Sequence, residues 1–152
     1  MKKFLPPFLL ALALIGGFTA CNSPESTTAG LKLELTSIER AGDGTVRVAW
    51  RVQNPNVFPY LLSKTASKLS LNGTLVATLT DDSPLGVPAQ SRADRTAELK
   101  LANATATAVV DQAVAQGSAA YRVDSILTVL LLDEQTEKIR LTVSGTVPVT
   151  AK

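Results

Sequence analysis

The sequence predicts an all-β domain, an antiparallel β-sandwich of about seven strands with one short helix. Three observations indicate this class. Apolar and polar residues alternate from Leu31 onward, turn residues separate the alternating runs, and one alanine-rich stretch has helical spacing instead. Several short strands at regular spacing, with a helix only late in the chain, are typical of a β-sandwich and not of a parallel sheet.

The first 20 residues have the composition of a secretion signal. A basic start at Met1-Lys2-Lys3 precedes an almost wholly apolar run from Phe4 to Phe18, and small residues follow at Thr19-Ala20. The apolar run is shorter than the roughly 20 residues that span a bilayer, which disfavours a permanent transmembrane helix. Residues 1–20 are therefore predicted to be a signal peptide.

The only cysteine of the chain, Cys21, stands where this signal ends. The segment resembles a bacterial lipobox, in which the cysteine is lipidated and becomes the first residue of the mature protein. The alternative is an ordinary signal peptide with a chance cysteine near its cleavage site. Residues 21–30 are then a lipidated cysteine with a flexible polar tether, and residues 31–150 form the β domain.

The predicted strands follow from period-two patterns and their terminators. Trp50 falls on the apolar face of the second alternating run, which predicts a core position. Asn54-Pro55-Asn56 ends that run because proline cannot donate to a β-ladder. Asn72-Gly73 between apolar residues is a strong hairpin signal. Later strands are predicted over 93–101, 121–132 and 138–149, and the segment from Asp81 to Pro88 is interpreted as a loop.

One segment breaks the β pattern. Asn103 to Gln116 is rich in alanine, and its valines recur at helical spacing, with Asn103 as a cap and Gly117 as a stop. The continuous apolar run Ile126–Leu132 predicts a central strand that is covered on both faces at one end.

Residue types that carry most enzyme chemistry are missing. The chain has no histidine, its only cysteine is the lipidation site, and its only methionine is Met1. General-base relays, thiol catalysis and common metal sites are thereby disfavoured, and no phosphate-binding glycine loop occurs. We therefore predict no catalytic, cofactor-binding or metal residues. The carboxylate pairs Asp81-Asp82 and Asp133-Glu134 are interpreted as solvated turn residues, although the first pair would be the best candidate for carboxylate catalysis.

Charge and aromatic residues bear on binding. The chain has 15 basic and 13 acidic residues, and loss of Lys2 and Lys3 with the signal leaves the mature part neutral. Such a balance disfavours nucleic acid as a partner. Phe58 and Tyr60 lie in a predicted loop, where they could form an interaction surface or close one end of the sandwich.

An ordered set of motifs resembles one known family. Asn54-Pro55-Asn56 is followed by Leu71-Asn72-Gly73, by Val76-Ala77, by Val87-Pro88-Ala89 and by the closing segment 143–148. This order is similar to that of the water stress and hypersensitive response (WHy) domain of the group-two late embryogenesis abundant proteins. The resemblance implies an immunoglobulin- or fibronectin-III-like sandwich, a link to desiccation or other stress, and no catalysis. It also implies that Asn54, Pro55 and Asn56 are a structural motif and not a binding site.

The anchor and the resemblance together predict a non-enzymatic, lipid-anchored envelope protein with a stress-protective or chaperone-like role. The alternative is a membrane-tethered module that docks another envelope protein. The expected partners are the membrane, through lipid on Cys21, and protein clients or an envelope protein, with no nucleic acid, cofactor or small-molecule substrate. In a host with two membranes, Asn22 after the cysteine favours the outer membrane facing the periplasm; with one membrane, the outer face of the cell membrane is expected.

Overall fold

The computed structural model describes residues 30–131 and 135–152. These residues form eight strands and one helix, in the order β1 (Lys32–Arg40), β2 (Val46–Asn54), β3 (Tyr60–Leu71), β4 (Thr74–Asp81), β5 (Leu85–Val87), β6 (Ser91–Leu99), α1 (Ala104–Gln116), β7 (Ser118–Leu130) and β8 (Thr136–Ala151). The predicted all-β class with a single short helix is confirmed. The predicted signal peptide and Cys21 lie outside the described residues.

The strands form one curled sheet, a half-barrel, in the order β4-β3-β7-β8-β1-β2-β6, with β5 added beside β3. The long strand β8 joins its two halves. From Thr136 to Pro148 it pairs antiparallel with β7, and its last residues, Val149 to Ala151, pair with β1. That second pairing is parallel, so the prediction of an antiparallel arrangement was wrong where β8 meets β1, between the two halves of the sheet. The alternation of residues does not encode strand direction.

The apolar faces of the strands meet inside the curl. Alternation in β2 buries Val48, Trp50 and Val52, of which Trp50 is only 5% exposed. The core position predicted for Trp50 is confirmed. Asn72 and Gly73 have φ angles of 48° and 81°, so both central residues of the β3–β4 turn occupy the left-handed region that this hairpin requires.

The helix forms where its caps predict. The side chain of Asn103 accepts a hydrogen bond from the Ala106 amide at 3.0 Å, and Gly117 ends the helix in the left-handed conformation. Its buried residues are Ala106, Val110 and Ala113. The face of the helix that packs against the sheet is therefore narrow and made of small residues.

Two predictions about the strands need correction. The segment interpreted as a loop between Asp81 and Pro88 contains β5, whose three residues pair with β3 from Tyr60 to Leu62. Strand β7 is central, between β3 and β8, but Ile126 is 38% exposed. Cover on both faces is therefore absent at the Ile126 end of the run, where the neighbouring side chains of Lys64 and Arg140 are also exposed. At the other end, Leu130 and Leu131 are half-buried.

Candidate functional site

The side chain of Asn54 connects two distant parts of the chain. Its Nδ2 donates to the carbonyl oxygens of Phe58 at 2.8 Å and Pro88 at 3.0 Å, with Val87 more distant at 3.4 Å. Its Oδ1 accepts the Asn56 amide at 2.9 Å. The residue is fully buried at the last position of β2. Each polar atom of this buried amide is satisfied, which supports the structural role that the resemblance implies for the motif.

The residues that follow form a loop, which we call the Asn54 loop, residues 55–59. Asn54 holds this loop from inside, and the Asn56 carbonyl accepts the Gln90 amide at 2.8 Å. Val57 and Phe58 nevertheless point outward, with 64% and 68% of their surfaces exposed. The loop is therefore fixed at its base and apolar at its tip.

Tyr60 does not lie in this loop. It is the first residue of β3, is half-buried, and pairs with Val87 of β5. The two aromatic residues predicted to share a candidate interaction loop therefore occupy different environments. Phe58 faces solvent, whereas Tyr60 packs against the core. The sequence pattern could not distinguish the environments of Phe58 and Tyr60, because β5, the strand with which Tyr60 pairs, was not predicted.

A small cavity lies between the two halves of the sheet. Its volume is about 30 Å³, and it is lined mainly by apolar side chains, including Leu33, Trp50, Leu69 and Leu99. Ligand pockets commonly measure 300–1,000 Å³. The cavity therefore has room for about one water molecule and not for a cofactor or a lipid chain.

A shallow surface lies across the outer face of β3, β7 and β8, around Ile126. Lys64, Lys138 and Arg140 border it. Beside it, the Arg122 guanidinium and the Thr142 hydroxyl donate to Asp124 at 3.0 and 2.7 Å. These donors, the arginine first, lower the pKa of Asp124, so this carboxylate is ionised at neutral pH. The surface is open and solvated, and its lysines form no enclosed anion site.

The acidic residues considered for catalysis are engaged in ordinary surface contacts. Asp81 accepts the Ser83 amide at 2.9 Å and lies 3.7 Å from Arg95, and Asp82 pairs with Lys64 at 2.8 Å. Asp133-Glu134 falls outside the described residues. Within residues 30–131 and 135–152, no group of three or more His, Cys, Asp or Glu side chains could hold a metal ion.

Two arginines of β2 have acidic partners on β6. Arg47 pairs with Glu98 at 3.2 Å, and Arg51 pairs with Asp94 at 2.6 Å. This agrees with a solvated face of mixed charge and gives no basic stripe. In the part of the chain that the structure covers, no helix is long and apolar enough to cross a membrane.

The fold defines a small all-β protein built on a curled sheet, in which the buried Asn54 holds the connection between β2 and β3. The profile of the late embryogenesis abundant protein family, LEA_2, matches residues 49–150, which include Asn54, the Asn54 loop and both long strands β7 and β8. The chain therefore belongs to that family. No similar sequence was found among curated proteins.

Solved structures share the fold at low identity. A solution structure of a protein from Arabidopsis thaliana is 13% identical, with a TM-score of 0.53 and 80% of each chain covered. A solution structure of a late embryogenesis abundant protein is 12% identical, with a TM-score of 0.51, covering 80% of this chain and 72% of the other. At these identities the likeness supports the fold alone.

Proposed function

We propose that this protein is a non-enzymatic, lipid-anchored envelope protein of the WHy type that protects other proteins during drying or related stress. Family membership over residues 49–150 carries the proposal, because it suggests a stress-related role. The curled sheet would be a variant of the immunoglobulin- or fibronectin-III-like sandwich, with β8 joining its two halves. Chaperone-like contact with unfolding clients is the simplest mechanism for a domain of this kind.

The anchor is supported by the sequence before the domain. A basic start, an apolar run and Cys21 at its end are the features of an exported lipoprotein. Two or three acyl chains hold a protein on a membrane stably. The proposed location is the outer membrane facing the periplasm, or the outer face of the cell membrane in a host with one membrane.

The anchor is tested by replacing Cys21. The unchanged chain should fractionate with membranes, and mass spectrometry of its N-terminal peptide should show acyl chains on Cys21. Cys21→Ser should abolish the acylation, so that the same region of the variant carries no acyl chain. Recovery of unmodified Cys21 in a soluble mature protein would refute lipidation and leave an ordinary signal peptide.

Protection is tested with the purified protein and a labile enzyme subjected to drying and to freeze–thaw cycles. An inert protein at equal mass is the control for crowding. The proposal expects more residual enzyme activity with this protein than with the control at every mass ratio. Equal recovery would refute direct protection.

The second candidate function is a tethered module that docks an envelope protein. The outward Val57 and Phe58 favour it, since exposed apolar side chains on a fixed loop can anchor a partner. Crosslinking in cells from a photoreactive residue at position 58 should then recover one specific envelope protein. Recovery of none would exclude this surface as its docking site.

A further inference from the structure

Exposed apolar residues are concentrated at one end of the domain. Among the residues that the structure describes, five large hydrophobic side chains are exposed, and Val57, Phe58 and Leu61 fall within five consecutive positions. Single exposed apolar residues are normal on a protein surface. A group of three beside one loop points instead to a contact with something apolar.

The chain enters the domain beside this same loop. A Cβ atom added to Gly30 would lie 3.4 Å from Pro55 Cγ, so the start of the domain touches the Asn54 loop. The nine peptide units from Cys21 to Gly30 can span at most about 30 Å. A lipid on Cys21 therefore holds this end of the domain close to the bilayer surface.

The loop is suited to an interface of low polarity. Positions 55–61 contain no charged residue, and Pro55 and Pro59 have no amide to leave unpaired. The Asn56 amide, the Asn56 carbonyl and the Phe58 carbonyl already have partners inside the protein. These three backbone groups therefore lose no hydrogen bond when the tip leaves water.

We propose that Val57 and Phe58 insert into the headgroup region of the bilayer that holds Cys21. In this orientation the Asn54 loop contacts the membrane. Helix α1 faces away from the membrane, because it connects strand ends at the opposite end of the sheet. This inference rests on the lipid anchor of the proposed function. The Asn54 loop acts as a second membrane contact that fixes the orientation of the domain. This contact is the weaker one, because the acyl chains supply most of the membrane affinity.

The bilayer fits this surface better than a protein partner does. A stable protein–protein interface buries about 800 Å² on each partner, far more than the side chains of one short loop provide. A membrane contact needs no such area when an anchor already keeps the protein at the surface. The docking of an envelope protein at this loop is accordingly the competing outcome of the test.

The test uses the full lipidated chain in vesicles of phosphatidylethanolamine and phosphatidylglycerol. Phe58→Cys is labelled with an environment-sensitive nitrobenzoxadiazole dye, and lipidated Cys21 has no free thiol to compete. Leu75→Cys is the matched control, because Leu75 is also apolar and is 45% exposed. Leu75 pairs with Ser70 of β3. Ser70 lies ten residues from Tyr60 along that strand, a distance of about 33 Å at the rise per residue of a β-strand.

The emission of the dye at position 58 should shift to the blue. Lipid-borne quenchers should reduce its emission intensity at least about threefold more than that of the dye at position 75, as expected for insertion of 5–10 Å. Equal quenching at both positions, in vesicles that retain the protein on flotation, would overturn the loop contact while leaving the anchor intact. A shift seen in native membranes and absent from pure lipid would overturn it in favour of a protein partner. If the protein fails to float with the vesicles, both the lipid anchor and the membrane contact of the Asn54 loop are refuted.

Discussion

At the scale of single residues, Asn54 shows how one side chain can determine a connection. Its side-chain amide bonds to three carbonyl oxygens and one backbone amide, and these groups belong to two segments about 30 positions apart. Aspartate could accept from the Asn56 amide but could not donate to the carbonyls. The position therefore requires asparagine specifically.

We expect Asn54→Ala to lower the free energy of unfolding by about 2–4 kcal/mol, because it leaves buried carbonyl and amide groups unsatisfied. Asn54→Asp should be at least as destabilising, since it places a carboxylate against the carbonyls of Phe58 and Pro88. Gln53→Ala, on the exposed face of the same strand, is the control and should change stability by under about 0.5 kcal/mol. Urea denaturation measures all three, and equal midpoints for the variants would contradict the structural role of Asn54.

Gly145 is a second position where one residue type is required. A Cβ atom there would lie 3.0 Å from Cε1 of Tyr121, whose buried ring lies across the neighbouring strand. Gly145→Ala is expected to lower the free energy of unfolding by about 1 kcal/mol, because the ring has little space to move. Gly86→Ala is the matched strand control, since no atom lies within 4 Å of its added Cβ. A thermal melt in which both variants unfold at the same temperature would disprove the close contact.

At the scale of elements, α1 depends on its first cap. The Asn103 side chain satisfies one amide of the first turn, and that turn contains no acidic residue. Asn103→Ala should lower the free energy of unfolding by about 1 kcal/mol. Asn103→Asp should keep the stability or raise it slightly, because aspartate also caps and its charge favours the helix N-terminus. An Asn103→Ala variant that unfolds at the same temperature as the unchanged protein would show that the cap contributes nothing.

The elements also show what local pattern can predict. The strands, the Asn72-Gly73 turn and the capped helix follow from signals within a few residues, and all three are present. β5 was not predicted because three residues between prolines carry no periodicity. Its pairing with Tyr60 to Leu62 depends on β3, which is distant in sequence. The exposure of Ile126 likewise depends on which side chains lie next to it on the neighbouring strands.

At the scale of the whole molecule, the described core lies entirely between Leu31 and Val149. A chain beginning at Gly30 should therefore fold without the anchor, because neither Cys21 nor the tether is needed to bury these residues. Circular dichroism should show a β-rich spectrum and one cooperative thermal transition, like that of the full chain with Cys21→Ala. A noncooperative melt of the shorter chain would place the domain boundary before Gly30.

The sequence by itself determined the all-β class, the position of the helix and its caps, the core role of Trp50, and the motifs that match the late embryogenesis abundant family. These depend on periodicity, turn residues and motif order, which are read along the chain. Only the tertiary structure decided that β8 pairs parallel with β1, that Asn54 bonds to Val87 and Pro88, and that Pro55 lies beside Gly30. It also decided that Phe58 is exposed while Tyr60 is packed. Each of these depends on segments that are distant in sequence, whose meeting is set by packing of the whole sheet and not by any local preference.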